Sequence, residues 1–534
     1  MNTPIDSRSP RLLRAANAAY GFMALLVAAY AALTALLMHH GAMPPLLFAL
    51  LFAAVLALLL LCARRTERLA FALPAQPDAY RPASFWGAAL PCALVMGVYL
   101  LAYFPGGFSS DTLYQWRQIH GGAVLTDWHP ALHTLMLGAL SAVVDHPAFA
   151  IAVQNIAYAS AVGYASSVLA RWRIPLALRT FIVAYLCLNP AIGNILTFPW
   201  KDCAFAICAL ILAVQLLEAH FSRGAWLAPW SHRLALGVTL CLCSILRHNG
   251  VAMTLAAGTW LLICMPRRIR QSLGALLTAV LLTLFIRGPV YDALGVERQK
   301  SQLDEIFGVP MTILANIYDQ KPESLDEDIV TFLEDVAPRS VYVEHNSVGD
   351  WNDIKWYAGS IYFDKPYTLP QVYGFALRAA IREPALALEA LGYLWQMPMW
   401  PFCDAYWRIS PYVDPSAPGE FGIREADTSL LSRALNALNR LSAEPCFAWL
   451  TWNPGFLLLL VMASCVLFAR RRPLSALLLP AMLICYNLAT SAVLSSSTDF
   501  RFFLSTPMIA PLCLIGLWAA PYASSSSHAD APRE

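Results

Sequence analysis

Six ionisable side chains fall within one stretch of about thirty residues, Tyr103 to Leu135, directly after an apolar run long enough to cross a bilayer. They are Asp111, Arg117, His120, Asp127, His129 and His133. A carboxylate beside a membrane segment is costly to bury, and it is well placed to accept a proton from a substrate hydroxyl. We therefore predict that Asp111 is a catalytic general base. The alternative is that Asp111 only caps the helix that begins at Thr112, and the two roles are compatible.

Three more polar turns place charged groups beside apolar runs. They are WKD at 200–202, RHNG at 247–250 and TDFR at 498–501. Arginine binds phosphate through parallel hydrogen bonds and lysine neutralises it as a point charge, so these turns suit a lipid-linked phosphate at headgroup depth. The predicted substrate-binding residues are Lys201, Asp202, Arg247, His248, Asn249, Asp499 and Arg501, together with Asp127 and His129.

Simpler interpretations stay open for most of these residues. Asp127 is equally well placed to cap a helix that begins at Pro130, and Lys201 with Asp202 is also consistent with an interfacial ion pair. Asp499 and Arg501 are close enough in sequence for a local turn. His120 and His133 are interpreted as structural or exposed.

The composition indicates a polytopic membrane protein. Of 534 residues, 58% are hydrophobic and 13% are charged, which is far more apolar than a soluble globular chain. The region from Tyr291 to Glu444 holds 23 of the 34 acidic residues and 12 of the 36 basic ones. The rest of the chain therefore has an excess of Lys and Arg, as expected for a membrane domain with basic cytoplasmic turns and no role in nucleic-acid binding.

Apolar runs and basic turns together predict twelve spans with both termini in the cytoplasm. The spans are Ala15–Met38, Pro44–Ala63, Phe85–Tyr103, Ala148–Ala170, Leu176–Leu196, Ala204–Leu217, Leu234–Leu246, Val251–Met265, Leu273–Ile286, Phe447–Ala469, Leu474–Leu494 and Phe503–Ala519. In this topology all four polar turns lie on the outer face. The apolar run from Ala131 to Val144 is too short for a span, so we interpret it as an outer-face or re-entrant helix.

Four regions follow from this topology. Residues 1–290 form an N-terminal transmembrane domain with an outer loop at 104–130, and residues 291–444 form a large extracytoplasmic segment of mixed structure. Residues 445–522 return as transmembrane helices, and residues 523–534 are a disordered tail. Within the segment, Pro384–Trp400 is predicted to be an interfacial helix, and Cys403 and Cys446 are candidates for a disulfide.

The early outer loop with its acid, the helix that begins at an HP pair and the late TDFR turn resemble the GT-C superfamily of integral membrane glycosyltransferases. The resemblance covers the membrane domain to about Ile286 and the closing turn. It implies an all-α fold, a polyprenyl-phosphate-linked sugar as donor, Asp111 as the base on the acceptor, and Arg501 as the contact to the donor phosphate. Many members have paired acids in the first loop, whereas this chain has Ser109 and Ser110 before a single Asp111, so no divalent metal or other cofactor is expected.

These observations lead to a hypothesis of inverting sugar transfer to a glycan, lipid or protein acceptor at the outer face of a bacterial inner membrane. Two alternatives remain. An O-antigen polymerase or ligase would depend on Arg and His residues of the 291–444 segment and would not need Asp111. A secondary transporter would place its charges at midmembrane in broken helices, whereas here they lie at the ends of spans.

Overall fold

The computed structural model describes residues 21–22, 24–33, 49–50, 53–57, 71–298, 307–358, 367–399, 410–425, 429–469, 472–493 and 497–520. Over these residues the chain is predominantly helical, which confirms the predicted all-α class. Two short strands, Phe71–Ala72 (β1) and Ala519–Ala520 (β2), pair in parallel and tie the first helices to the end of the chain.

The helices between residues 71 and 298 are numbered from α1 to α10. They are α1 Pro82–Ala102, α2 Ser110–Ile119, α3 Ala131–Ser141, α4 Pro147–Arg171, α5 Leu176–Leu188, α6 Pro190–Ile195, α7 Lys201–Phe221, α8 Trp230–Ile245, α9 Gly250–Cys264 and α10 Ile269–Phe285. A π-helical turn at Ile286–Val290 extends α10 to Ala293.

The helices after residue 306 are numbered from α11 to α23. They are α11 Gly308–Gln320, α12 Glu327–Val336, α13 Arg339–His345, α14 Trp351–Ala358, α15 Leu369–Arg382, α16 Pro384–Met399, α17 Ala417–Phe421, α18 Leu430–Ala443, α19 Pro445–Thr451, α20 Pro454–Phe468, α21 Leu474–Leu477, α22 Ala481–Val493 and α23 Ser505–Trp518.

Seven helical stretches in the described residues are long and apolar enough to cross a membrane, or eight if α19 and α20, bent by 61°, count as one span. They match seven of the predicted spans, and the bent pair matches an eighth. The chain is therefore a membrane-embedded helical protein. Helices α8 and α9 have 16 and 15 residues, fewer than the roughly 20 that an upright span needs. The first two predicted spans lie mostly outside the described residues, and α3, with 11 residues, is as short as predicted.

The charged residues at the two ends of the membrane-spanning helices form different contacts. At one end, Arg171 pairs with Glu218 at 2.9 Å, and Arg472 donates to the carbonyl oxygen of Leu517 at 2.6 Å. The four polar turns meet at the other end. The 21 residues of α7 separate the two ends by about 31 Å at 1.5 Å per residue. Within the described residues, turns predicted to be cytoplasmic thus share one end, and the four polar turns predicted to be outer share the opposite end.

Helix α7 lies at the centre of the packing. Almost all of its residues are buried against α4, α8 and α23, so its first residues are fixed in position by the core. Those first residues are Lys201 and Asp202.

The segment from Tyr291 to Glu444 has a hydrophobic cluster of its own. Its buried members come from α11 to α16 and include Leu314, Leu333, Trp351 and Ala376. The described part of the segment contains helices and isolated bridges, so it is helical where a mixed structure was expected. Helix α16 is close in extent to the interfacial helix predicted at Pro384–Trp400. Cys446 is exposed, and Cys403, its predicted partner, lies outside the described residues.

Candidate functional site

The fold brings six ionisable side chains from four separate turns into one charged cluster. They are Asp111, Lys201, Asp202, Arg247, Asp499 and Arg501, which we call the charged cluster. Asp111 Oδ2 accepts a hydrogen bond from Arg501 Nη1 at 2.7 Å and another from Lys201 Nζ at 3.3 Å. Two cations therefore contact the same oxygen of this carboxylate. All six residues were predicted as site residues, and the structure places them together.

A second ion pair of the charged cluster is buried more deeply. Arg247 Nη1 donates to Asp202 Oδ1, and the Asp202 side chain is fully buried. Arg247 Nε also donates to Asn249 Oδ1 at 2.8 Å, and Asn249 in turn donates to Thr490 Oγ1 at 2.6 Å. Asp202 Oδ2 lies 3.9 Å from Lys201 Nζ, so the two ion pairs of the charged cluster are continuous.

Arg501 is held by aromatic rings as well as by carboxylates. Its guanidinium carbon lies 5.0 Å from the centre of the Trp200 ring and 5.1 Å from that of Phe502. Asp499 accepts from the backbone N–H of Arg501 at 3.0 Å and pairs with its Nε at 3.0 Å. The local turn considered for Asp499 is therefore present, and Arg501 also reaches Asp111, which the turn does not predict.

Close packing positions the loop that carries Asp111. Trp200 Nε1 donates to Ser109 Oγ at 2.7 Å, and Ser109 caps α2 at the backbone N–H of Thr112. A Cβ at Gly107 would overlap the ring of Phe198, which stacks on Trp200 with ring centres 4.0 Å apart. Glycine is therefore required at this point of the loop, and Asp111 lies in the first turn of α2, two residues beyond the cap.

The side chains of the RHNG turn contact two different groups of polar residues. A Cβ at Gly250 would overlap the carbonyl oxygen of Cys243, so the turn between α8 and α9 closes only with glycine there. Arg247 and Asn249 enter the charged cluster, whereas His248 Nε2 contacts the carbonyl oxygen of Asp127 at 3.1 Å. Burial lowers the pKa of His248 below its usual value.

Asp127, His248 and Arg287 form a second polar group, which we call the second cluster. Arg287 Nη2 donates to Asp127 Oδ2 at 3.1 Å and lies 3.3 Å from His248 Nδ1. Asp127 Oδ1 accepts from the backbone N–H of Ala131, the first residue of α3, at 2.9 Å. The capping role considered for Asp127 is thus present. Sequence reasoning missed Arg287, although a lone arginine directly after an apolar run was a usable signal.

His129 borders the charged cluster and is buried, with its ring edge-on to Tyr114 at 5.8 Å between ring centres. Burial, and then the positive charge of Lys201, lowers the pKa of His129 to about 3. Its imidazole is therefore neutral at pH 7. His133 is also buried and contacts Gln115 Oε1 at 3.2 Å, in line with its structural interpretation.

The 291–444 segment reaches this end of the membrane domain. Asn352 Nδ2 donates to Ser497 Oγ at 3.0 Å, and Lys355 Nζ lies 5.1 Å from the centre of the Trp128 ring. Trp128 stands between Asp127 and His129 in sequence, so α14 packs beside both clusters. Burial next to Asp353 raises the pKa of Asp350, which immediately precedes α14, to about 7. Sequence reasoning named none of these α14 residues.

Within the part of the chain that the structure describes, no three His, Cys, Asp or Glu side chains form a group that could hold a metal ion. The charged groups at this end are instead paired acids and bases. Such an arrangement can bind an anion through Lys and Arg and offers a carboxylate beside it as a proton acceptor.

Comparisons with known proteins give one match. Neither the search of curated proteins nor the search of solved structures returned a similar protein. The region that matches a family model runs from α1 to α12. It contains Asp111, Lys201, Arg247 and Arg287 but not Arg501. Residues 89–337 match DUF6020, a family of unknown function.

Proposed function

We propose that the chain is a GT-C-type membrane glycosyltransferase. It transfers a sugar from a polyprenyl-phosphate donor to a cell-envelope acceptor at the extracytoplasmic face of a bacterial inner membrane. The observation that carries this proposal is the contact of both Arg501 and Lys201 with one oxygen of Asp111, at the end of apolar spans. A base and two phosphate-binding cations then stand within a few ångströms of each other, at the depth of a lipid headgroup.

The transfer needs three events at this place. The hydroxyl oxygen of the acceptor forms a bond to the anomeric carbon, and the bond from that carbon to the phosphate oxygen breaks with inversion. The hydroxyl proton passes to Asp111, and the polyprenyl phosphate leaves with the bonding electron pair. Arg501 and Lys201 stabilise the negative charge that develops on the leaving phosphate.

The charged cluster holds three acids and three bases, so it is neutral before the donor arrives. An incoming phosphate competes with Asp111 for Arg501 and Lys201. Its binding therefore draws the cations away from Asp111 and leaves the carboxylate able to accept a proton.

The sequence predicts that Arg247 binds substrate, but we propose a different role for it. Its guanidinium is buried against Asp202, Asn249 and the ring of Phe502. We assign it a positioning role, in which it neutralises Asp202 and so fixes the start of α7. Direct contact with the donor phosphate then falls to Lys201 and Arg501.

The proposed topology has twelve spans with both termini in the cytoplasm. It is supported by the separation of the two sets of turns at opposite ends of the described helices. The 291–444 segment lies outside in this topology and covers the site through α14.

The two alternatives account less well for the same contacts. Two arginines of the 291–444 segment are engaged in its own fold, since Arg378 pairs with Asp326 and Asp328, and Arg382 also pairs with Asp326. This argues against a polymerase or ligase that depends on them. The charged groups lie at the ends of spans and not at their middles, which argues against a secondary transporter.

The experiment that tests the proposal compares envelope glycans of cells that lack the chain with those of complemented cells. Mass spectrometry should detect a sugar that is lost on deletion and restored by the wild-type chain. Asp111→Asn, present at the wild-type level, should fail to restore it. Asp78→Asn is the control, because Asp78 pairs with exposed Arg173 at the opposite end. Full restoration by Asp111→Asn would overturn the assignment of the base.

A further inference from the structure

A cavity of about 280 Å³ lies outside both clusters, at the far end of α2. Its walls come from the loop before α2, the second half of α2, the loop after α3 and the turn after α17. Its lining includes Phe104, Trp116, His120, Asp145, Phe421 and Arg424. The volume is near the lower end of the roughly 300–1,000 Å³ typical of small-molecule sites, so the cavity suits a ligand of monosaccharide size.

Aromatic rings form a large part of the cavity wall. His120 stacks on Trp116 with ring centres 5.5 Å apart and contacts Phe421 at 5.4 Å. Phe104 stacks on His146 at 5.4 Å and is 47% exposed. Flat rings with one face accessible can pack against the apolar C–H face of a sugar, and their rigidity keeps the entropic cost of binding low.

Charged groups stand beside these rings. Both oxygens of Asp145 lie 3.0 Å from His120 Nε2, and Asp145 Oδ1 accepts from Ser141 Oγ at 2.5 Å. The bond from Ser141, and then that from His120, lowers the pKa of Asp145 below its usual value. Asp145 is therefore an ionised acceptor for hydroxyl groups, and its side chain is 58% exposed. Arg424 also lines the cavity, and its guanidinium supplies hydrogen-bond donors.

The cavity is separate from the reaction centre but shares a helix with it. Asp111 and His120 are nine residues apart along α2, which is about 13 Å at 1.5 Å per residue. A smaller cavity, of about 100 Å³, adjoins Phe104 and is lined by Tyr103, Tyr412 and Asn436. The two cavities follow the boundary between the outer loop and the chain around α17 and α18.

Contacts between the membrane domain and the 291–444 segment hold this boundary together. Phe108 forms a parallel bridge with Val413, and Arg117 Nε donates to Glu420 Oε2 at 2.6 Å. Gly422, in a left-handed conformation at φ 68°, turns the chain after α17 so that Arg424 faces the cavity with Phe421. The segment therefore contributes four of the eleven residues that line the cavity.

We propose that this cavity is a carbohydrate-binding subsite, which holds one sugar unit of the acceptor glycan while a more distal unit reaches Asp111. Stacking faces beside a carboxylate and a guanidinium match the alternation of C–H faces and hydroxyl groups on a sugar ring. That the bound sugar belongs to the acceptor rests on the proposed function. That the cavity binds carbohydrate rests only on the residues of the cavity.

The test measures sugar binding to the purified full-length chain by saturation-transfer NMR, with methyl glycosides of neutral, amino and acidic hexoses as probes. At least one glycoside should receive saturation from the wild-type chain. Phe421→Ala and Asp145→Asn should each weaken its binding about tenfold, the loss expected for one stacking or charge-assisted contact. Phe447→Ala, which removes another exposed phenylalanine, is the matched control and should bind as the wild type does.

Asp111→Asn separates this proposal from the proposed function. It should bind the glycoside normally, since no donor or transfer is involved, although it fails to restore the envelope sugar. Absence of saturation transfer to every glycoside would overturn the subsite, and so would wild-type binding by both cavity variants. Unfolding temperatures of the variants within the range of the control show that any lost binding is not lost folding.

Discussion

Arg501 Nη1 lies 2.7 Å from Asp111 Oδ2, although 390 residues separate the two in sequence. The contact joins the first turn of α2 to the turn before α23. It places a cation that can bind phosphate directly on the carboxylate that we assign as the base.

Asp111→Asn should lower transfer about 10²- to 10⁴-fold, the usual contribution of a general base. An amide has the same shape but accepts no proton at neutral pH. The rate of sugar transfer in isolated membranes measures the loss. Asp111→Glu should recover part of the activity, because it restores a carboxylate, and equal rates for the Asn and Glu variants would contradict the role.

Asp202→Asn should destabilise the fold by about 3–5 kcal/mol, because it leaves the buried Arg247 guanidinium without its counter-charge. The midpoint of thermal unfolding in detergent reports the loss. Asp328→Asn is the control, since its partner Arg378 is solvent-exposed and such pairs contribute about 0–1 kcal/mol. Equal midpoints for the two variants would show that the pair between Asp202 and Arg247 is not buried in solution.

Gly250→Ala should also lower the unfolding midpoint, and more than a typical substitution does. The added Cβ would overlap the carbonyl oxygen of Cys243, and this is backbone that cannot move without opening the turn between α8 and α9. Gly374→Ala is the matched control. Gly374 lies within α15 with nothing near its Cβ position, so alanine there should stabilise the helix by about 0.5–1 kcal/mol.

His129 makes the stability of the chain depend on pH. Its pKa is about 3 in the folded chain and 6.5 in the unfolded chain, so the unfolded state binds the extra proton between these values. Stability should therefore fall as the pH is lowered below 6.5. Unfolding midpoints measured from pH 7.5 to 5 should decline less steeply for His129→Gln than for the wild type.

Phe447→Ala, which removes no titratable group, is the control for this pH series and should keep the wild-type slope. Identical slopes for His129→Gln and the wild type would mean that folding does not lower the pKa of His129.

The sequence predicted the composition of the charged cluster better than its internal pairing. Asp111, Lys201, Arg247 and Arg501 were placed on one face because the bias of Lys and Arg in the turns fixes the direction of each span. Which acid meets which base depends on how the helices pack. Sequence alone therefore gave no reason to expect that Arg247 is buried against Asp202 while Arg501 reaches Asp111.

The residues that sequence reasoning missed share a physical cause. Arg287 directly follows an apolar run, so the sequence pattern marks it only as the end of a membrane span. In the structure it lies in a π-helical turn and contacts Asp127. Lys355 belongs to a segment with many charged residues. The spacing of residues in that segment does not distinguish a buried lysine from an exposed one. In both cases the tertiary contact, and not the local pattern, gives the residue its place.

The most direct test of the central claim is the binding of undecaprenyl phosphate to the purified chain, measured by native mass spectrometry. Arg501→Gln should weaken binding about tenfold or more, because it removes a bidentate phosphate donor. Asp111→Asn should bind at least as tightly as the wild type, since the competing carboxylate is gone. Arg173→Gln, at the opposite end, should leave binding unchanged. Wild-type affinity in Arg501→Gln, or a loss in Asp111→Asn equal to that in Arg501→Gln, would contradict the account.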